Sequence, residues 1–279
     1  MHWIRTFFLM AFLTLILMVI GSLVGGREGA VLALVVAAVL NLGAYWFSDK
    51  MVLARYKAKE IGPEDGTGLY GIVRDLTTRS GLPMPRVYLI PTDTPNAFAT
   101  GRSPRHAAVA ATAGILRILS PRELQGVMAH ELAHVQNRDI LIQSIAATLA
   151  GAIGFLAFGA RLRAFFGDRR DGGNGILLLV VAILAPLAAM MVQMAISRSR
   201  EFGADAGGAA MSRDPEALAS ALEKISAGVA RRPLGDEAAT TAHLFIVNPL
   251  HAGGLAKLFS THPPLEQRVA RLRSMRVRG

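Results

Sequence analysis

Two histidines four residues apart flank a glutamate in the run AHELAHVQNR at 129–138: His130, Glu131 and His134. On a helix the two rings rise about 40° apart on one face, a spacing that suits two nitrogen ligands of one zinc ion. Glu131, one position on, is placed to reach a water at such a metal and act as its general base. With 7 histidines in 279 residues, chance produces this pattern in roughly one such chain in a hundred or fewer. The bland alternative is a solvated helix that happens to carry two histidines.

The helix itself is predicted from Pro121, because Ser120-Pro121-Arg122-Glu123 reads as a capping box with proline at the first helical position. With Leu124 as the zero of a helical wheel, Met128, Leu132 and Val135 fall at about 20° to 80°, and Arg122, Gln125 and Gln136 at about 100° to 160°. His130, Glu131 and His134 fall at about 240° to 340°, beside the apolar stripe and away from the polar arc. Polar groups next to a buried face need partners, and a metal is a natural one.

A hydrolytic zinc takes three protein ligands and keeps a position for water. The chain has no cysteine, which excludes disulfides, thiol nucleophiles and thiolate ligands, so any metal is held by His, Asp or Glu. No third histidine follows His134 in VQNRDILIQS. The better candidate is Glu201 in SRSREFGADAGG, on a helix continuing from an apolar stretch, with Asp205 one turn beyond as a partner for a metal-bound histidine. The alternative, two ordinary solvated acids beside Arg198 and Arg200, is left open by spacing alone.

These residues must be positioned by a membrane protein. Hydrophobic residues make up 52% of the chain and charged ones 18%, too apolar for an ordinary soluble domain. Uncharged stretches at 7–26, 30–48, 140–160 and 172–197 are each long enough to span a bilayer, and the second ends in Tyr45 and Trp46, suited to the interface. The first two read as a retained hairpin, since a removable signal peptide is not followed at once by a second span. Lys50, Arg55, Lys57 and Lys59 crowd the exit from the second span, whereas the first loop holds only Arg27, offset by Glu28. That places the amino terminus and the following domain in the cytoplasm. Arg161, Arg163, Arg169 and Arg170 oppose the rule, because they fall between the third and fourth stretches. The net charge of +10 reads as cytoplasmic-side charge, with no nucleic-acid motif to accompany it. His130 and Glu201 share a metal only if those two stretches cross as a pair or neither crosses.

The expected organisation is a transmembrane hairpin (1–48), a first catalytic part with the HExxH helix (49–139), a second apolar hairpin (140–197) and a second catalytic part carrying the third ligand (198–279). PRVYLI at 85–90 is predicted as a strand, and NAFATG and HAAVAAT, broken by RSPR, as a β-hairpin. A helix PEALASALEKI opens at Pro215 and is expected to end at the Gly and Pro beyond it; a last helix, PLEQRVARLRSM, follows STHPP.

PNAFATGR (95–102), HELAHVQNRD (130–139), SREFGADA (199–206) and STHPPLEQR (260–268), in that order among the apolar stretches, make the chain resemble the HtpX family of bacterial membrane zinc metalloproteases, relatives of the eukaryotic CAAX prenyl endopeptidases. The resemblance covers essentially the whole length. It implies a mainly α integral membrane protein with a small β-sheet and a zincin-like catalytic domain interrupted by the second hairpin. It implies His130, His134 and Glu201 as ligands of one Zn²⁺ per chain and Glu131 as general base. Asn96, Ala97, Phe98 and Ala99 would form the edge strand along which an extended peptide lies, with Asn96 facing the cleft. His262 would stabilise the developing oxyanion, and Arg268 would brace that region. It further implies a multi-pass protein of the bacterial inner membrane with its catalytic domain in the cytoplasm, a stress-response role in clearing misfolded or damaged membrane proteins, the lipid bilayer and other membrane proteases as partners, and no nucleic acid.

Two other readings stand beside this one. A protease working inside a span is disfavoured by Arg122 and Arg138, which bracket the HExxH helix. A non-catalytic zinc scaffold or carrier would keep the three ligands but have no use for Glu131.

Overall fold

The computed structural model describes residues 2–24, 26–166, 175–231, 246 and 263–275. In chain order the elements are α1 (His2–Val24), α2 (Gly26–Arg55), β1 (Lys59–Ile61), α3 (Leu69–Ser80), β2 (Arg86–Ile90), β3 (Ala97–Thr100), β4 (Ala108–Thr112), α4 (Ala113–Ile118), α5 (Pro121–Gln136), α6 (Asp139–Phe166), α7 (Gly175–Ser212), α8 (Pro215–Arg231) and α9 (Leu265–Arg273). The protein is mainly helical with one small mixed sheet. Its chain forms two compact units, Met1–Tyr45 with Ile142–Ser199, and Trp46–Leu141 with Arg200–Gly279.

The first unit is apolar inside and out. Leu13, Leu17 and Ile20 of α1 pack with Ile153 and Leu156 of α6 and with Ala189, Val192 and Ile196 of α7. On the outside, Phe8, Phe12, Val39, Phe158, Leu184 and Met191 are exposed. An apolar surface over an apolar core suits helices that face lipid. Among the described residues two stretches, Asp139–Leu162 and Leu179–Ser212, are long and apolar enough to cross a membrane; the apolar run of α1, Phe7–Ile20, is shorter.

Between α6 and α7 one polar contact has a local cause. Pro186 lies inside α7 and has no N–H, so the carbonyl of Ala182 lacks its normal helical donor. The Arg161 guanidinium supplies one, at 3.1 Å from Nη2 and 3.4 Å from Nε. The expectation that Arg161 and Arg163 are loop charges is therefore corrected: α6 runs on to Phe166 and takes both into the helix. Arg169 and Arg170 lie outside the described residues.

In the second unit the sheet order is β1-β2-β4-β3, with β2 and β4 parallel and both outer pairs antiparallel. The strand expected at 85–90 and the expected hairpin are β2 and the β3–β4 pair. One face of the sheet joins Val87 and Val109 to Leu69, Val73 and Leu76 of α3, Val127, Met128 and Leu132 of α5, Leu218 and Leu222 of α8, and Leu272 of α9. Burying each such side chain stabilises the unit by about 1.5–3 kcal/mol before the entropy of ordering it is subtracted. On the other face, Tyr88, Ile90 and Phe98 pack on Leu53 and Tyr56.

β3 is an edge strand. The Thr112 N–H donates to Asn96 O at 2.9 Å, and backbone direction alternates along a strand. Phe98 and Thr100 therefore turn their peptide groups toward β4, while Ala97 and Ala99 turn theirs to the open edge.

α5 begins as its sequence requires. Ser120 accepts from the Glu123 N–H while the Glu123 carboxylate accepts from the Ser120 N–H, with Pro121 at the first helical position. Glu123 also accepts from Ser220 Oγ at 2.6 Å and pairs with Lys224 at 2.8 Å, which ties the start of α5 to α8. The α8 helix departs from expectation at its end, running through Gly228 to Arg231. Gly228 is there for a close approach and does not stop the helix: a Cβ on it would come within 3.0 Å of the Pro95 ring.

Candidate metal centre

α5 and α7 are brought together by the absence of side chains. A Cβ on Gly208 would lie 2.8 Å from both N and Cα of His130, and one on Gly207 would lie 3.0 Å from the Cβ of Ala133. The buried face of α7 in this unit is Glu201, Ala204, Asp205, Gly208, Ala209 and Ser212, a helical repeat of three and four. One turn of it presents the carboxylates and the next presents glycine against the HExxH helix.

Each of His130, His134 and Glu201 offers one donor atom, and these atoms lie within 4.8 Å of one another. The two Nε2 atoms are 3.1 Å apart. Glu201 Oε2 lies 3.7 Å from His130 Nε2, and its Oε1 lies 3.6 Å from His134 Nε2. Both imidazoles thus turn the same nitrogen toward one carboxylate, and their Nδ1 atoms face away.

Behind each ring stands a carboxylate, and behind each carboxylate an arginine. His134 Nδ1 is 2.6 Å from Asp139 Oδ2, and Asp139 Oδ1 is 3.3 Å from Arg200 Nε. His130 Nδ1 is 3.0 Å from Asp205 Oδ1, at a bent angle. Arg268 grips Asp205 with two hydrogen bonds, Nε to Oδ2 at 2.9 Å and Nη2 to Oδ1 at 2.7 Å. The same guanidinium donates from Nη1 to Ile246 O at 2.8 Å and lies 3.2 Å from Glu201 Oε2. Burial alone would lower the Arg268 pKa, but the charges of Asp205 and Glu201 raise it further and hold the group protonated.

Glu131 is not one of the three converging donors. Its Oε2 accepts the Ala99 N–H at 2.9 Å, so it is fastened to the open edge of β3. Burial pushes its carboxyl above the usual carboxylate range, against the opposing pull of the two histidines and the Ala99 N–H.

The donor set fits a divalent cation. Glu131, Asp139, Glu201 and Asp205 are all buried, and among the described residues Arg200 stands against Asp139 and Arg268 against Asp205 and Glu201. Carboxylates enclosed away from water around two imidazoles call for a cation. Two imidazoles and one carboxylate are ligands suited to zinc in a hydrolytic site.

Of the other residues singled out in the sequence, Asn96 is buried, and its Oδ1 accepts the Ile246 N–H at 3.3 Å. Ala97 and Phe98 are buried on opposite faces of β3, and Ala99 meets Glu131. Asp205 and Arg268 meet each other beside His130. His262 lies outside the described residues. Sequence reasoning assigned no role to Asp139 or Gly208. Asp139 had a signal, an acid just past the end of a histidine-bearing helix. Gly208 had a fainter one, a glycine seven residues after Glu201 and so on its helical face.

A model of peptidase family M48 matches residues 65–276. The protease HtpX homolog of Syntrophotalea carbinolica is 56% identical, over 99% of this chain and 100% of its own length. The protease HtpX homolog of Ralstonia pickettii is 58% identical, over 100% of this chain and 98% of its own length. Among solved structures, the crystal structure of S. mikatae Ste24p covers 93% of this chain with a TM-score of 0.61 at 18% identity. This chain spans 62% of the length of that protein, and the likeness is one of fold.

Proposed function

The chain belongs to peptidase family M48, among the HtpX membrane metalloproteases, and from that premise we propose that it is a zinc endopeptidase of the bacterial cytoplasmic membrane, cleaving misfolded or damaged membrane proteins at segments that reach the cytoplasm. In this reading 1–48 and 140–197 form the multi-pass membrane part, and 49–139 with 198–279 form the cytoplasmic catalytic part.

His130, His134 and Glu201 would hold the zinc, which when bound supplies a Lewis acid that acidifies water and polarises the scissile carbonyl. Glu131 takes the proton of the attacking water and delivers it to the leaving amine. Asp139 and Asp205 keep the histidines turned with Nε2 toward Glu201.

The substrate lies extended along the open edge of β3, where the outward peptide groups of Ala97 and Ala99 offer backbone pairing. Pairing of this kind reads side chains weakly, which suits an enzyme with many substrates. Asn96 orients the start of that strand through Ile246, and His262 donates to the oxyanion as it forms.

The observation that carries this reading is the convergence of three donor atoms within 4.8 Å beside a buried acid that is not one of them. The test is metal analysis of the purified full chain together with a protein-cleavage assay. One zinc per chain, activity abolished by a chelator and restored by zinc, and loss of bound zinc in Glu201→Ala are expected. Normal zinc content in Glu201→Ala overturns the ligand set, and chelator-resistant cleavage overturns the metalloenzyme reading.

A further inference from the structure

Arg200 has no role in that mechanism. It lies beside Glu201, yet its guanidinium forms an ion pair with a different carboxylate, Asp139, Nε lying 3.3 Å from Oδ1 without making a hydrogen bond. The other oxygen of Asp139 is 2.6 Å from His134 Nδ1. Guanidinium, carboxylate and imidazole thus form a chain, matched by Arg268, Asp205 and His130 on the other histidine.

The two chains differ in where their members sit along the sequence. Asp139 opens α6 just before the chain leaves the second unit at Ile142, and Arg200 is the residue at which it returns. The ion pair therefore joins the departing and returning strands of one long excursion. Arg138, immediately before Asp139, has a positive φ of 55°, a conformation that non-glycine residues adopt at a cost. That turn swings Asp139 back beneath His134.

We propose that Arg200 is a positioning residue for the metal centre: acting through Asp139, it fixes the ring of His134, so retention of the metal depends on the two ends of the excursion being clamped together. Asp139 alone rotates about its own side-chain bonds; with one oxygen drawn to the buried charge of Arg200, the other is turned to meet Nδ1.

The inference rests on His134 serving as a metal ligand, and the experiment separates the two ideas. Full-length protein is loaded with zinc in detergent, and transfer of zinc to a coloured chelator is timed for the parent, Arg200→Gln, Asp139→Asn and the double variant. Arg200→Gln is expected to speed release roughly 10- to 100-fold, in line with the loss of an outer partner of a ligand, and Arg200→Lys to recover part of it. In the Asp139→Asn background Arg200→Gln is expected to add nothing, since the path is already cut. Unchanged release in Arg200→Gln, or effects of the two variants that simply multiply, overturns the proposal. If Arg200→Gln fails to fold, the same comparison is made with Arg200→Lys in both backgrounds. A parent protein that binds no zinc refutes the ligand set instead.

Discussion

The backbone N–H of Ala99 donates to Glu131 Oε2 at 2.9 Å, so a single hydrogen bond joins the open edge of the sheet to the acid of the HExxH helix. An extended peptide laid on that edge finds the Ala99 N–H already engaged, while the Ala97 N–H and both carbonyls remain directed outward. In the proposed pose the substrate carbonyl opposite Ala99 would lack a strand partner, and it would be the one beside Glu131.

Glu131→Gln keeps an oxygen to accept the Ala99 N–H but loses the basic carboxylate. Zinc content and thermal stability are expected to be unchanged, with cleavage falling roughly 10²- to 10⁴-fold. Parallel metal analysis and turnover measurements check this, and retained turnover would refute the role of Glu131.

Gly208→Ala tests the approach of α7 to α5. The added methyl meets the backbone of His130, which cannot move aside as a flexible side chain would, so the helices must separate. A loss of about 1–3 kcal/mol is expected, with weaker zinc binding because Glu201 moves with α7. Ala210→Gly, at an exposed position on the same helix, serves as the control.

Glu123 gives a pH signature away from the metal. Burial alone would raise its pKa, but Lys224, Ser220 and Ser120 outweigh burial and lower it from 4.5 to about 2. A carboxylate depressed on folding contributes stability that is present above its unfolded pKa and lost as pH falls through the folded one. Glu123→Gln should therefore cost about 2 kcal/mol near neutrality, and the gap from the parent should narrow between pH 4.5 and pH 2. Denaturant midpoints across that range measure it; a gap that does not change with pH refutes the assignment.

Arg161 and Pro186 are predicted to be coupled. Arg161→Met removes the donor to Ala182 O and should destabilise the detergent-solubilised protein by about 1 kcal/mol. Pro186→Ala restores an N–H four residues after Ala182, and in that background Arg161→Met should cost little. Equal costs in both backgrounds would show that Arg161 is not there for the carbonyl.

The sequence made local features legible and long-range ones less so. A capping box is written within four residues, and α5 starts where Ser120 and Glu123 dictate. The spacing of His130 and His134 places both rings on one helical face, and the continuity of α7 carries Glu201 and Asp205 together. Asp139 was not assigned because helical spacing stops at Gln136; the left-handed turn at Arg138 that returns it to His134 has no glycine to announce it. Arg161 reads as a loop charge, because a charged residue at the end of an apolar run usually marks a helix terminus, whereas α6 continues to Phe166. Its partner is a backbone carbonyl freed by a proline on the next helix, and no side-chain pattern records that. Gly228 and Pro233 together read as the stop of α8 because glycine often ends a helix, but α8 runs past Gly228 to Arg231, and that glycine makes room for the Pro95 ring.

The gathering of buried carboxylates around two imidazoles has a consequence for the protein's supply inside a cell. Without a dication the centre must take up protons or open to water, and either costs folding free energy. A cell short of the ion would then hold fewer intact copies, not a stock of idle ones. Abundance of the enzyme would follow the metal even at constant synthesis.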